Sequence, residues 1–185
     1  MDHFIWEGYF PGSGYAFATG QQGLSSQQKL QILAGKEVTG PLSKLVVTEL
    51  TDGELPDLLE SSWSAKMVSA KLKRVLDKHC PECIQYIPVK LEDYPDSKYW
   101  IANVVTNVSC LDRDKSKITT FQTRPQAIKT IKKLVLKPIE DDAPQVFHMQ
   151  ELPPVLLLSD VLRQALQAAS ESAGEFVRSD KYRRP

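Results

Sequence analysis

Residues 66–86 read KMVSAKLKRVLDKHCPECIQY, and residues 156–176 read LLLSDVLRQALQAASESAGEF. Each stretch opens on a short extended run and reaches a serine, Ser69 or Ser159, whose hydroxyl can accept from the first free amides of a helix. Leu72, Val75 and Leu76 then recur at helical spacing, as do Leu162, Ala165, Leu166 and Ala169, so each segment presents one apolar stripe. Cys80-Pro81 stops the first helix, because the residue before proline avoids helical angles, and Gly174 supplies the turn after the second. Aligning the serines gives an offset of 90 residues (159 − 69), which places Leu162 on Leu72, Leu166 on Leu76 and Phe176 on Tyr86 without a gap. The spacing predicts a strand, capped helix and strand unit used twice, with Leu72, Val75, Leu76, Leu162 and Leu166 in the core.

Around these units the chain reads mostly as strands. Residues 1–24 are rich in glycine and aromatics (Phe4, Trp6, Tyr9, Phe10, Tyr15, Phe17), the composition of short strands joined by glycine turns. Ser25 or Ser26 can cap a short helix, QQKLQILAG, with Leu30, Leu33 and Ala34 sharing one face and Gly35 as its stop. LSKLVVTEL (42–50), CIQYIPV (83–89), YWIANVVTNVSCLD (99–112), ITTFQTRP (118–125), IKTIKKLVLKPI (128–139) and QVFHMQ (145–150) are strand candidates. ELPDLLESSW (54–63) reads as short helical or irregular chain, and the basic tail SDKYRRP as frayed. The fold class that follows is α+β: a mixed sheet with two related strand-helix-strand units and an N-terminal Gly/aromatic-rich β segment. Residues 1–40 form that β-rich segment with its short helix, within the same domain; 41–178 form the main α+β body; 179–185 are the tail.

Composition narrows the function. In 185 residues, 42% hydrophobic and 25% charged, 23 basic side chains balance 23 acidic ones, which argues against a protein that coats nucleic acid. The opening residues lack the charge and apolar core of a secretory signal, and no apolar run approaches a membrane span, so a cytoplasmic protein without membrane contact is expected. Three cysteines are too few for a disulfide framework.

Four motifs invite chemistry. His79-Cys80-Pro81-Glu82-Cys83 has redox or zinc spacing, but His3, Cys110 and His148 occur singly, and the pair follows a helix C-terminus, where the dipole disfavours a thiolate. Ser170–Ala173 occupy the same joint in the second unit, so the joint forms without cysteine; Cys83 is expected to pack as a small apolar residue and Cys80 to be incidental. A small thiol-redox or zinc-binding protein using Cys80 and Cys83 is the alternative function. Gly12-Ser13-Gly14 lacks the third glycine of a dinucleotide fingerprint and reads as a turn. Arg124, Lys129, Lys132, Lys133 and Lys137 read as solvated strand positions rather than a nucleic-acid surface. Glu49, Asp52, Glu54, Asp57 and Glu60 form an acidic run with no basic residue inside it, either an ordinary solvated face or a docking surface for a basic protein. No catalytic, cofactor-binding or metal-binding set is singled out, and no cofactor is expected.

Taken in order, MVSAKLKRVL leading to IQYIPV, YWIANVV, CLDRDKS with Asp112 and Ser116, KKLVLKP, QVFHM, and LLLSDVLRQAL leading to GEF resemble the bacterial polymorphic-toxin immunity proteins of family eleven, a domain of unknown function typified by a myxobacterial immunity protein. The resemblance covers roughly residues 42–178; the first forty residues depart from it and read as partner-specific surface or a divergent sheet edge. It implies a non-enzymatic antitoxin that binds a cognate toxin, often a nuclease and encoded by an adjacent gene, and blocks it by occlusion. It brings no catalytic residue.

Overall fold

A computed structural model describes residues 2–9, 12–40, 44–140 and 142–184; Phe10 and residues 42–43 of the first long strand candidate lie outside them. In chain order the elements are β1 (His3–Glu7), β2 (Ala18–Gln22), α1 (Ser26–Leu33), β3 (Leu45–Leu50), β4 (Leu58–Glu60), β5 (Lys66–Ser69), α2 (Ala70–His79), β6 (Ile84–Leu91), β7 (Tyr99–Val104), β8 (Asn107–Val108), β9 (Lys117–Phe121), β10 (Arg124–Lys133), β11 (Val146–Met149), β12 (Leu152–Ser159), α3 (Asp160–Ala169) and β13 (Glu175–Arg178), followed by a 3-10 turn, Ser179–Lys181. The fold is α+β with mixed sheets, as the sequence implies.

Six strands lie in the order β2-β3-β6-β7-β5-β4 and five in the order β13-β1-β12-β11-β8, while β9 and β10 pair as a separate hairpin. The repeat is a crossover in each large sheet: β5 runs through α2 into β6, and β12 runs through α3 into β13. In both, one antiparallel strand fills the gap between the crossover strands, β7 in the first and β1 in the second. The registers agree. Ser69 lies opposite Tyr99 and Tyr86 opposite Ala102; Ser159 lies opposite His3 and Phe176 opposite Trp6. Tyr99 and His3 therefore hold equivalent places, as do Ala102 and Trp6.

The caps work as the serines suggest. Ser69 Oγ accepts from the amides of Lys71 (3.2 Å) and Leu72 (3.4 Å), and Ser159 Oγ accepts from the Leu162 amide at 3.2 Å. From 71 to 80 and from 161 to 170 the sequence of buried, half-buried and exposed positions is identical. Cation-aromatic contacts recur as well: Lys73 Nζ sits 4.0 Å from the Tyr86 ring centre and 5.8 Å from that of Trp100, while Arg163, the equivalent of Lys73, lies 4.6 Å from Phe4, the equivalent of Trp100.

Leu72, Leu76, Leu162 and Leu166 are fully buried in one core shared by both helices and both sheets, with Val75 packed at its margin. The other face of the six-stranded sheet packs under Ala16, Leu24, Ile32 and Val38, and the other face of the five-stranded sheet packs under Ile128, Ile131 and Leu134.

Three local expectations are corrected, and a fourth, the sheet edge, holds for β2 but not for β1. The short helix turns Ile32 inward and leaves Leu30 65% exposed, because its docking face is set by the sheet beneath it rather than by its own weak periodicity. Residues 58–60 form a strand, since Leu58 and Leu59 are drawn into pairing with β5. The tail is not frayed: Arg184 exchanges backbone hydrogen bonds of 3.0 and 2.8 Å with Ile131, and Tyr182 packs on the core. Within the first forty residues β2 does lie at the edge of the six-stranded sheet, whereas β1 is no edge but the filling of the second crossover. Trp6 is 1% exposed there, with its indole N–H donated to the Ala173 carbonyl at 2.8 Å. Trp6→Ala is expected to cost about 3–5 kcal/mol in urea denaturation, as for other buried aromatics; a loss under about 1 kcal/mol would show that β1 is dispensable.

Candidate functional site

The acidic run divides into two kinds of residue. Glu49, Asp52 and Glu54 are exposed. Glu49 lies on β3 and accepts weakly from Thr19 Oγ1 at 3.4 Å. The Asp52-Gly53 turn needs glycine, because Gly53 has φ 144° and a Cβ there would lie 2.6 Å from the Tyr15 carbonyl carbon. Glu54 is tied by its backbone to the N-terminal segment, through Ala16 N–H to Glu54 O (2.8 Å) and Glu54 N–H to Gly14 O (2.9 Å). That segment places Tyr15 against Tyr9, with ring centres 4.2 Å apart. An aromatic pair thus borders the acidic edge.

Asp57 and Glu60 face inward. Asp57 accepts from Ser69 Oγ (2.5 Å), Lys71 Nζ (2.8 Å) and Ser170 Oγ (2.6 Å), while its amide donates to Ser172 Oγ at 2.9 Å. Ser69 caps the start of α2 and Ser170 ends α3, so one carboxylate joins the two repeated helices. Burial would raise its pKa, but the hydrogen bonds from Lys71, Ser170 and Ser69 outweigh it and hold the carboxyl below its ordinary value. Gln145 takes the corresponding place in the second unit, where its side chain accepts from Ser159 Oγ and its carbonyl from the Ser159 amide at 2.9 Å. Glu60 pairs with Lys66 at 3.4 Å, with the two side chains 13% and 8% exposed. A Cβ on Gly8 would lie 1.7 Å from Glu60 Oε2, so glycine at 8 makes room for this pair. The pair lines an open cleft of about 230 Å³ with Glu7, Ser64, Tyr182 and Arg184. Burial raises the Glu7 pKa there, against the opposing pull of Lys66.

The lysines that neutralise the run, Lys66 and Lys71, stand just beyond its end in the sequence and reach it only through the β4–β5 pairing and the helix start. The Ser170 and Ser172 contacts span more than a hundred residues and have no local signal.

At the Cys-Pro-Glu-Cys joint Cys83 packs half-buried against the core as an apolar residue, as expected, whereas Cys80, expected to be incidental, is itself core at 2% exposed. The helix end turns Cys80 inward, as it does Ser170 in the second unit. Burial pushes the Cys80 thiol up to about 12, with Cys83 adding to the effect, and burial likewise pushes Cys110 up to about 12. His148 is buried, and burial lowers its pKa despite a hydrogen bond to the Pro153 carbonyl. Among the described residues no three His, Cys, Asp or Glu side chains gather as a metal site, and no helix is long and apolar enough to cross a membrane.

The molecule is thus an α+β protein built on a duplicated strand-helix-strand unit around one helix pair. Residues 15–180 match the family model described as Immunity protein family (Imm11), and the chain belongs to that family. No curated protein matches the chain.

Two outcomes test the site. Asp57→Asn is expected to cost about 1.5–3 kcal/mol at pH 7, the range for hydrogen bonds to a charged group. Because the folded pKa lies below the unfolded one, Asp57 stabilises the fold above about pH 4, and that contribution is lost as pH falls through the folded value. Denaturation from pH 7 down to 3 should therefore show wild type and variant converging. A thiol reagent at pH 8 should modify Cys83 in the native chain and reach Cys80 and Cys110 only after unfolding; fast native reaction at Cys80 would revive a thiol chemistry.

Proposed function

We propose that this protein is a non-enzymatic immunity protein that acts in the cytoplasm, binding a cognate toxin domain encoded by an adjacent gene and blocking it by occlusion. Membership of the Imm11 family across residues 15–180 carries the proposal. Two further observations support it: the half-buried acids Asp57 and Glu60 are committed to internal partners, and the two buried thiols are held in the neutral form. Occlusion of this kind buries roughly 1,200–2,000 Å² in total and rests on a few anchors inside a polar rim. It calls for no nucleic acid, membrane or cofactor. A nuclease is the first toxin activity to assay.

The acidic edge enters the proposal in reduced form. Glu49, Asp52 and Glu54 are free to meet a basic toxin surface, while Asp57 and Glu60 support the backbone behind them. Co-expression with the neighbouring toxin domain is expected to restore growth, and continued killing would refute the immunity role. In the purified complex, reversing Glu49, Asp52 and Glu54 to lysine should slow association about tenfold at low salt. Unchanged kinetics would remove this edge from the interface.

A further inference from the structure

The chain is neutral overall, yet its charge is unevenly spread. Between residues 117 and 133, Lys117, Arg124, Lys129, Lys132 and Lys133 occur with no acidic residue at all. The rest of the chain therefore holds 18 basic and 23 acidic side chains. This segment is the β9–β10 hairpin, paired antiparallel and outside both large sheets. Its base has a clear structural duty, because Ile128 and Ile131 are buried against the five-stranded sheet and Ile118 packs beside them. Its outer end has none. From Phe121 through Gln126 every residue is exposed, and all five basic side chains are exposed too.

Lysines on an edge strand have an ordinary purpose, which is to prevent edge-to-edge aggregation. That purpose does not account for Phe121, a large apolar ring 39% exposed at the tip, with the Arg124 guanidinium 5.6 Å from its centre. An exposed aromatic beside an arginine in a basic surround has the composition of an interface anchor. The hairpin is also ordered in advance, since Thr119 and Thr130 share a 2.8 Å hydrogen bond across it and Arg113 donates to the Gln126 carbonyl at 3.2 Å. Such order lowers the entropic cost of docking.

We infer that the β9–β10 hairpin is a docking arm whose Phe121–Arg124 tip and lysine flank seat against an acidic face of the toxin. The inference rests on the immunity role proposed above and is independent of the acidic edge, which comes from other elements. A protein face is favoured over nucleic acid because the chain as a whole carries no net charge to attract a polyanion.

The experiment uses the full chain and the toxin domain encoded beside it. One variant set carries Lys129→Glu, Lys132→Glu and Lys133→Glu, another Phe121→Ala with Arg124→Ala, and a third the neutral changes Lys129→Gln, Lys132→Gln and Lys133→Gln, which keep the test valid should charge reversal disturb folding. Association at low salt is expected to slow about tenfold or more for the reversed set and less for the neutral set, with the difference fading at high salt. The tip variant is expected to dissociate about tenfold faster or more. Wild-type rates in all three sets, alongside a wild-type chain that binds and protects, would overturn the docking arm and leave the immunity role standing. A wild-type chain that neither binds nor protects would overturn both. Low-salt retention of single-stranded RNA or duplex DNA that is lost in the reversed set, with toxin kinetics unchanged, would assign the hairpin to nucleic acid and overturn the inference.

Discussion

A crossover that skips one strand leaves a gap in the sheet, and the backbone on both sides of that gap has to be paired. This constraint organises the whole protein. β5 and β6 are set apart in one sheet and β12 and β13 in the other, each pair tied by a helix that can cover only one face. Left open, either gap would strand two rows of amides and carbonyls beside a buried core, which is costly for every group without a partner. The first gap is closed locally, because β6 turns back as β7. The second is closed from a distance, by the first strand of the chain. With both closed, the four leucines of the two helices, Leu72, Leu76, Leu162 and Leu166, share one interior.

The duplicated unit was legible because its determinants are local. A serine cap, leucines at helical spacing and a turn all act within a dozen residues, and they recur at one offset. Side-chain replacements follow the same logic: Lys73 becomes Arg163, and Trp100 becomes Phe4, with the cation-aromatic contact preserved. What stayed hidden depends on distant pairing. Nothing in HFIWE says that it belongs between two strands more than 150 residues away. The irregular reading of residues 54–63 failed for the same reason, since Leu58 and Leu59 become a strand only because β5 is there to pair with them.

Charge shows a similar division. The acidic run looked uniform in sequence, but Asp57 and Glu60 are drawn into the seam between the units, where Lys71, Lys66 and the serines surround them. One carboxylate there binds the start of one helix to the end of the other, so the two copies are held together by polar contacts as well as by packed leucines. Two exposed groups of like charge remain, the acids Glu49, Asp52 and Glu54 on β3 and the turn after it, and the bases of the outlying hairpin. A chain of zero net charge can thus present two surfaces of opposite sign.

The distance between β1 and its partners has a consequence for how the protein is made. During synthesis β1 leaves the ribosome well before β12 and β13. The first unit can close while translation continues, because β5, α2, β6 and β7 are neighbours in the chain. The second must wait until β12 and β13 have been made, and such sequence-distant pairing is slow because a long loop has to be closed. In the meantime HFIWE is an unpaired apolar strand with nothing to cover it, the kind of segment that recruits chaperones or aggregates. A strand made more than 150 residues before its partners finds its place only once they too have been made.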